Sequence, residues 1–295
     1  MRKMQLKALA KINLGLDVLR KREDGYHEVR MIMQNVHIYD RIWLEKQEQE
    51  GIQVKTNLYY LPVNENNLVY KAAKLLMDEF ELPGGLCIDL KKYIPVAAGM
   101  AGGSSDAAAV LFGVNRMYEL GLSLEQLMER GVQLGADVPY CIMRGTALSE
   151  GIGEILTPLK PMPPCYILVA KPGISVSTKF VYENLHANEL ERHPHIDGMI
   201  EALERQDLKA LASCMNKGNV LENVTIPAHP VIQKLKDIMV QHGALVSLMS
   251  GSGPTVFGIF DNRYLAKKAY GALQQDEDAK QVFWTTPYNH RREVR

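Results

Sequence analysis

Residues 99–106 (GMAGGSSD) are rich in glycine and serine and run directly into a helical stretch. Glycines let a ligand approach the backbone closely, and a helix start offers free N–H groups at the positive end of its dipole. This arrangement suits phosphate oxygens, and the hydroxyls of Ser104 and Ser105 would add donors or cap the helix. Asp106 would repel a bare phosphate, so its presence favours a cation such as Mg²⁺. The alternative interpretation is a flexible loop before a well-capped helix, since glycine-rich loops are common.

Lys11 and Asn13 lie two positions apart in a segment, residues 4–18, whose even-numbered residues from 6 onward are apolar. Period two over this length predicts a long β-strand with one buried face, and it places Lys11 and Asn13 side by side. Asp137 follows a predicted helix end and has apolar neighbours. A partly buried carboxylate needs a cationic partner, so an ion pair is the simpler explanation of Asp137, and Lys11 is a candidate partner.

Residues 250–254 (SGSGP) form a second cluster of small residues, between apolar stretches at 244–249 and 255–260. The cluster is either a hairpin turn or a second backbone wall for a substrate or for phosphates. No GxxxxGK[ST] motif occurs, which excludes a P-loop protein. Neither the 99–106 segment nor residues 151–156 fits the GxGxxG dinucleotide motif, so a dehydrogenase is disfavoured.

Four further side chains could bind ligands. The turn at residues 24–27 presents Tyr26 and His27, which are either simply exposed or face a ligand. His193 and His195 flank one proline, but no cluster of further metal ligands lies near them in the sequence. A surface loop is therefore the preferred interpretation of this pair, and no metal-ligating residues are assigned.

The elements that must position these residues follow from the apolar pattern. Strands are predicted at residues 4–18, 29–45, 86–90, 165–171, 244–249, 255–260 and 281–285. Helices are predicted at residues 67–80, 107–118, 123–135, around 195–217, at 230–242 and at 263–275. The order mixes strands and helices without regular βαβ repetition, which favours an α+β fold. The proline-rich segment 158–164 predicts a boundary between two domains, residues 1–160 and 161–295.

The composition excludes several classes of protein. Lysine plus arginine equals aspartate plus glutamate at 34 each, so the basic excess typical of nucleic-acid binders is absent. The four cysteines are widely spaced without a CxxC pair, which disfavours a zinc site and a disulfide framework and fits a reducing compartment. We find no secretory signal and no apolar run of the ~18–20 residues that a membrane span needs. These features predict a cytoplasmic protein without membrane or nucleic-acid partners.

These segments, in this order, resemble the GHMP kinase superfamily. Residues 11–14 match its first motif, residues 95–105 its second, of the type PxxxG[LM]xG[GS]SS, and residues 250–254 its third. The resemblance runs from about residue 6 to about residue 286 without large gaps. Four pieces distinguish the member most like this chain: AKINLGLDVLRKREDGYHE (10–28), GGSSDAAA (102–109), LGADVP (134–139) and AKPGISVST (170–178).

The resemblance implies a fold and an activity. The expected fold has an N-terminal domain like the second domain of ribosomal protein S5 and a ferredoxin-like C-terminal α+β domain. The expected activity is ATP-dependent phosphorylation of the 2-hydroxyl of a CDP-linked methylerythritol, a step of non-mevalonate isoprenoid precursor biosynthesis. ATP, with Mg²⁺, would lie over the glycine-rich loop and the acceptor between the domains. The chain would act as a monomer or a homodimer.

The resemblance also implies roles for individual residues. Asp137 would be the catalytic base and Lys11 the group that stabilises charge. The acceptor-binding positions are Asn13, Tyr26, His27, Asp137, Thr178 and Tyr182. The ATP-binding positions are Asn67, Lys92, Pro95, Val96, Ala97, Ala98, Gly99, Met100, Ala101, Gly102, Gly103, Ser104 and Ser105. Asp106 stands where other members have asparagine, and Tyr182 stands where an aromatic residue is expected.

Two alternatives stay open beside this activity. The first is a kinase of the same superfamily that acts on another small alcohol, such as homoserine or mevalonate. Tyr26 and Tyr182 argue for a cytidine-bearing acceptor instead, because they could sandwich a base while His27 bonds its polar edge. The second is a non-catalytic nucleotide-binding module, which would have no need of both Lys11 and Asp137.

Overall fold

The computed structural model describes residues 1–290, so the last five residues of the predicted second domain lie outside it. The strands are β1 (Lys3–Lys21), β2 (His27–Gln47), β3 (Gly51–Thr56), β4 (Gly85–Lys91), β5 (Thr146–Glu150), β6 (Ile155–Pro158), β7 (Tyr166–Pro172), β8 (Val246–Met249), β9 (Val256–Phe260) and β10 (Ala279–Thr285).

The α-helices are α1 (Leu68–Glu79), α2 (Gly102–Tyr118), α3 (Leu124–Val132), α4 (Val138–Met143), α5 (Thr178–Glu183), α6 (Ile196–Glu204), α7 (Leu208–Cys214), α8 (Glu222–Ala228), α9 (Val231–Gln241) and α10 (Arg263–Gln275). A 3₁₀ turn covers Ala187–Glu189. None of the helices between residues 1 and 290 combines the length and the apolar character that crossing a membrane requires.

The first sheet has the strand order β3-β4-β2-β5-β6, and β1 pairs with β2 as an antiparallel partner. Helices α1 and α2 pack together beside it, and α2 lies against β1 and β2. The parallel pair β3–β4 needs a long connection, and α1 lies in that connection. Ser123 and Gln126 form a capping box at the start of α3.

Strand β1 is not the simple one-sided strand that its period-two pattern predicts. Its pairing with β2 shifts register between Leu9 and Lys11 and again between Asn13 and Gly15. Because side chains alternate across a sheet, each extra residue in a bulge exchanges the two faces. Ala8 and Leu16 therefore belong to one hydrophobic core, whereas residues 10, 12 and 14 belong to the other. The bulges turn Lys11 and Asn13 toward the core that contains α2, and both are buried.

Helix α2 begins at Gly102, five residues before its predicted start, so the second half of the glycine-rich segment is its first turn. The predicted serine cap is wrong: Ala101 is the N-cap, in a left-handed conformation with φ of 53° and without a side-chain hydrogen bond. The hydroxyl of Ser105 instead donates to the carbonyl of Leu9 at 2.7 Å. This bond fixes the first turn of α2 against β1, beside Lys11.

The second sheet has the order β10-β7-β9-β8, and every neighbouring pair is antiparallel. With helices between β7 and β8 and α10 between β9 and β10, the order is βαββαβ, the ferredoxin-like arrangement that was predicted. The proline-rich segment 158–164 joins the two sheets, since β6 belongs to the first and β7 to the second. The division into domains 1–160 and 161–295 stays a prediction.

Candidate active site

A cavity of about 870 Å³ lies where the start of α2, the bulged part of β1, helix α5 and the 250–254 turn meet. This volume is in the range of small-molecule sites. The predicted residues that line it are Lys11, Asn13, Tyr26, His27, Asn67, Lys92, Pro95, Val96, Ala97, Ala98, Gly99, Ala101, Gly102, Gly103, Ser104, Asp137, Thr178 and Tyr182. Met100 and Ser105 are buried and are not part of the lining.

Lys11 and Asp137 meet at this cavity. The Lys11 ammonium, whose side chain is 5% exposed, donates to Asn13 Oδ1 at 2.7 Å and lies 3.9 Å from Asp137 Oδ2. Asp137 is the residue before α4, and its side chain is 33% exposed, so solvent or a ligand can reach the carboxylate. An ammonium has three donors. Lys11 can therefore hold Asn13 and Asp137 and still bind a further anion.

The 250–254 turn has the hairpin position that one interpretation of its sequence predicts, and it also borders the cavity. It is the connection between β8 and β9, and Gly251 and Ser252 line the cavity. Ser250 Oγ donates to the Gly99 carbonyl at 2.9 Å. Gly99 has φ of +71°, and a Cβ there would stand 2.1 Å from the Ser250 carbonyl oxygen. Only glycine fits this approach, so the turn and the glycine-rich segment form one wall.

An aromatic pair closes another part of the cavity. The rings of His27 and Tyr182 have centroids 5.1 Å apart at an angle of 44°, whereas Tyr26 is 60% exposed. Burial lowers the pKa of His27 from its ordinary 6.5, and the nearby charge of Lys21 lowers it further. Burial also raises the pKa of Tyr182. A neutral imidazole and a neutral phenol therefore face the cavity at pH 7, each able to donate or accept a hydrogen bond.

Three ionisable side chains are buried at the start of α2. The Lys92 ammonium hydrogen-bonds both Asp40 and Asp106, at 2.6 Å for Asp106 Oδ2. Asp40 Oδ1 also accepts the backbone N–H groups of Tyr93 and Ile94. Asp106 Oδ1, by contrast, is buried without a hydrogen-bond partner in the described part of the chain.

The charges of this group act on one another strongly because water is excluded. Burial raises the pKa of Asp106 well above its ordinary value, while Lys92 opposes the shift and Asp40 adds to it. Burial would lower the pKa of Lys92, but the charges of Asp106 and Asp40 outweigh it and raise the pKa. A Cβ on Gly102 would lie 3.1 Å from Lys92 Nζ. The ammonium therefore lies directly under the start of α2.

Comparison with known proteins gives matches over almost the whole chain. The sequence model of the GHMP kinases N terminal domain matches residues 67–145, and that of GHMP kinases C terminal matches residues 199–279. A protein of Lachnoclostridium phytofermentans named 4-diphosphocytidyl-2-C-methyl-D-erythritol kinase is 58% identical over 282 residues, covering 96% of either chain. The chain belongs to the GHMP kinase family.

Solved structures of GHMP kinases share the fold. The crystal structure of a 4-(cytidine 5'-diphospho)-2C-methyl-D-erythritol kinase superposes with a TM-score of 0.81 at 32% identity, covering 97% of this chain and 100% of that one. The crystal structure of homoserine kinase from Cytophaga hutchinsonii has a TM-score of 0.77 at 18% identity, covering 97% of this chain and 94% of that one. At this identity the match shows the fold alone. The predicted two-domain GHMP kinase fold is confirmed.

Some residues that line the cavity of this GHMP kinase were not predicted from the sequence. Leu61, Pro62, Asn66 and Leu68 line the cavity beside Asn67, in and after the connection from β3 to α1. The side chain of Asn67 itself caps α1 through Val69 N and donates to the Pro62 carbonyl. The sequence pattern that could have indicated them is an apolar pair, Leu61 and Pro62, shortly before the cap of α1. This pattern alone does not predict a ligand site, because the fold is needed to place the pair at the cavity.

Proposed function

We propose that this GHMP kinase transfers the γ-phosphoryl group of ATP to the 2-hydroxyl of 4-diphosphocytidyl-2-C-methyl-D-erythritol, giving the 2-phosphate and ADP, in non-mevalonate isoprenoid precursor biosynthesis. The observation that carries the proposal is the Lys11–Asp137 pair, which borders the same cavity as the α2 phosphate segment and the His27–Tyr182 rings. The name of the 58% identical relative supports the choice of acceptor.

ATP would place its phosphates at the start of α2. The free N–H groups of the first helical turn and the positive end of the dipole favour negative charge there. Gly102 and Gly103 line the cavity at this turn, so no side chain keeps a phosphate from the backbone. The adenosine would lie toward the wall that contains Pro62, Asn66 and Leu68.

Mg²⁺ fits the residues at this end. Mg²⁺ is held in kinases by one or two carboxylates together with substrate phosphates. Asp106 borders the cavity and has a buried carboxylate oxygen, Oδ1, that lacks a hydrogen-bond partner among residues 1–290. We therefore assign Asp106 as the residue that would hold Mg²⁺ together with ATP. When bound, Mg²⁺ would neutralise charge on the phosphates.

Phosphoryl transfer needs alignment and charge neutralisation more than covalent help from the protein. The acceptor hydroxyl oxygen forms a bond to the γ-phosphorus while the bond from that phosphorus to the β,γ-bridging oxygen breaks, and ADP leaves. Asp137 takes the hydroxyl proton as the new bond forms, which a loose transition state permits. Lys11 orients Asp137 and stabilises negative charge on the transferring group.

The cytosine of the acceptor would lie at the aromatic end. Tyr182 offers a partly buried ring face, the His27 ring is tilted against it at 5.1 Å between centroids, and the exposed Tyr26 is free to close on the other side of the base. Each aromatic stack contributes about 1–3 kcal/mol. Neutral His27 can pair with the polar edge of the base, and Thr178, which hydrogen-bonds Ser252 at 2.8 Å, lines the same cavity.

The cysteines and the charge balance indicate where the enzyme acts and what it binds. Its four cysteines are widely spaced in the sequence without a CxxC pair, which fits a reducing compartment, and we infer a cytoplasmic location. The balanced charge gives no surface excess that would attract nucleic acid, so we infer small molecules as its partners.

The test is coupled ADP release from purified protein with ATP and Mg²⁺, using CDP-methylerythritol, mevalonate and homoserine as separate acceptors. We expect turnover with the CDP compound alone. Turnover with mevalonate or homoserine instead would assign another acceptor. ATP binding without turnover on all three would favour a nucleotide-binding module.

A further inference from the structure

Three apolar side chains line the cavity next to Lys11 and Asp137, and we refer to them as the apolar wall: Met31, Ala136 and Ile152. Ala136 immediately precedes Asp137 in the chain. Met31 is buried against Asn13, whose Nδ2 donates to the Met31 sulfur at 3.2 Å, while the Oδ1 of the same amide accepts from Lys11. The apolar wall therefore adjoins both members of the Lys11–Asp137 pair.

The parts of the apolar wall meet at the turn of residues 151–153, which connects β5 to β6. A Cβ on Gly153 would stand 3.2 Å from Met31 Cε and 3.8 Å from the Cβ of Ala136. Ile152 is the residue before Gly153 in this turn, and it is half-buried. The three side chains therefore lie close together at one part of the cavity, and none of them carries a charge.

Hydrogen bonds hold this turn in place. The carbonyl of Gly151 accepts from the backbone N–H of Val29, on β2, at 2.8 Å. The backbone N–H of Ile152 donates to Glu154 Oε2 at 2.7 Å. Because both sides of the turn are bonded, the backbone that carries Ile152 is positioned before an acceptor binds.

The proposed acceptor has a group that suits an apolar surface at this place. Its carbon 2 bears both the reacting hydroxyl and a methyl group, so the methyl carbon is only two bonds from the hydroxyl oxygen. If Asp137 takes the hydroxyl proton, the methyl group must lie beside the Lys11–Asp137 pair. Contact of a methyl group with an apolar surface removes both from water, which is favourable.

We propose that the apolar wall recognises the methyl group on carbon 2 of the acceptor, and that Ile152 is a specificity-determining residue for it. This inference rests on the proposed function. Lys11, Asn13 and Asp137 would take the polar side of carbon 2, and the apolar wall its methyl side. An acceptor with hydrogen in place of the methyl would leave part of the wall without a partner. One such carbon in a hydrophobic site changes kcat/KM by about 10- to 200-fold.

The test measures kcat/KM by coupled ADP release for CDP-methylerythritol and for its analogue with hydrogen in place of the methyl on carbon 2. We expect the native chain to prefer the methylated acceptor by about 10- to 200-fold. In Ile152→Ala this ratio should fall toward one, because the methyl group loses its neighbour. Ile152→Val, which removes a single carbon, should keep most of the ratio. Ile155→Ala is the matched control, since Ile155 is 56% exposed and outside the cavity lining.

A purely structural Ile152 would behave differently. Its replacement would lower kcat/KM for both acceptors by the same factor, and an unchanged ratio in Ile152→Ala would overturn the proposal. A native ratio of one or less would overturn it without any variant. Turnover of both acceptors with equal kcat/KM would thus refute this inference and leave the proposed function standing. Turnover of neither acceptor would refute the proposed function, and this inference with it.

Discussion

The ammonium of Lys11 lies 3.9 Å from the carboxylate of Asp137 and 2.7 Å from the side-chain oxygen of Asn13. The three residues come from two separate parts of the chain, the bulged strand β1 and the start of α4. Lys11 is also tied by its backbone N–H to the carbonyl of Met100, in the glycine-rich segment. Strand β1 therefore holds Lys11 beside both Asp137, the proposed base, and the glycine-rich segment, and this spacing is set before a substrate arrives.

Replacing Asp137 with asparagine should stop turnover without unfolding the protein. The amide keeps the size of the side chain but cannot take the hydroxyl proton, so we expect kcat to fall by about 10²- to 10⁴-fold. The Kd for ATP should change little, since the proposed partner of Asp137 is the acceptor and not ATP. Steady-state kinetics and calorimetry check both, with Asp261→Asn, an exposed aspartate outside the cavity lining, as control. An unchanged kcat would remove Asp137 from the role of base.

Replacing Tyr182 with alanine should weaken binding of the acceptor more than binding of ATP. Loss of one base stack is worth about 1–3 kcal/mol, so the acceptor KM should rise by roughly 5- to 150-fold. Tyr182→Phe keeps the ring and should stay close to the native value. Tyr264→Ala, at an exposed tyrosine on α10 outside the cavity lining, is the control. Equal rises in the two KM values for Tyr182→Ala would argue against base stacking at this residue.

A methyl group at Gly99 should disturb the glycine-rich segment more than a methyl group at another glycine with the same backbone conformation. Gly99 and Gly121 both have φ of +71°, but a Cβ at Gly121 meets no atom within 4 Å, whereas at Gly99 it would stand 2.1 Å from the Ser250 carbonyl. Either alanine carries the left-handed penalty of about 1–2 kcal/mol. We expect Gly99→Ala to lower the Tm further than Gly121→Ala and to weaken ATP binding. Equal losses for both variants would show that contact with Ser250 is unimportant.

The protonation of His27 should respond to Lys21. Burial is the larger cause of its lowered pKa and the Lys21 charge the smaller, so Lys21→Gln should raise the pKa of His27 only part of the way to 6.5. NMR titration of the His27 ring proton measures this shift. An unchanged or lower pKa in Lys21→Gln would contradict the assigned Coulombic effect.

The same lowered pKa links His27 to stability. The unfolded chain binds the His27 proton more tightly than the folded chain does, so folding stability rises with pH across this titration. The contribution of His27 is fully present above the unfolded pKa of about 6.5 and is lost as pH falls through the folded value. In urea unfolding, His27→Gln should therefore lose less stability between pH 7 and pH 5 than the native protein. An equal loss would exclude His27 from the pH dependence.

Much of the fold could be predicted from the period of the apolar residues. The four strands of the second sheet and helices α1, α3, α9 and α10 lie within a few residues of their predicted places. Strand β3 was missed because GIQVKT is short and half exposed, and α4 and α5 because six residues are too few to show a helical period. Bulges leave no mark on the pattern of β1, since they depend on its pairing with β2.

The candidate site was predictable where its residues lie in local motifs, such as Lys11 and Asn13 on one strand. The buried position of Asp40 was not predictable, because an aspartate between Tyr39 and Arg41 has the pattern of an exposed strand position. Its partner Lys92 is 52 positions away and meets it only once β2 and β4 pair. The contact between the rings of His27 and Tyr182 likewise depends on how α5 packs.

The most direct test of the proposed reaction is ³¹P NMR of the product formed from ATP, Mg²⁺ and CDP-methylerythritol. The carbon at position 2 bears the methyl group and no hydrogen, so a phosphate on its oxygen has no proton three bonds away. We predict that the γ-phosphate signal of ATP is replaced by a new phosphomonoester singlet, with the diphosphate signals of the acceptor retained. A phosphomonoester signal split by protons would place the phosphate on another hydroxyl, and release of inorganic phosphate alone would contradict the transfer.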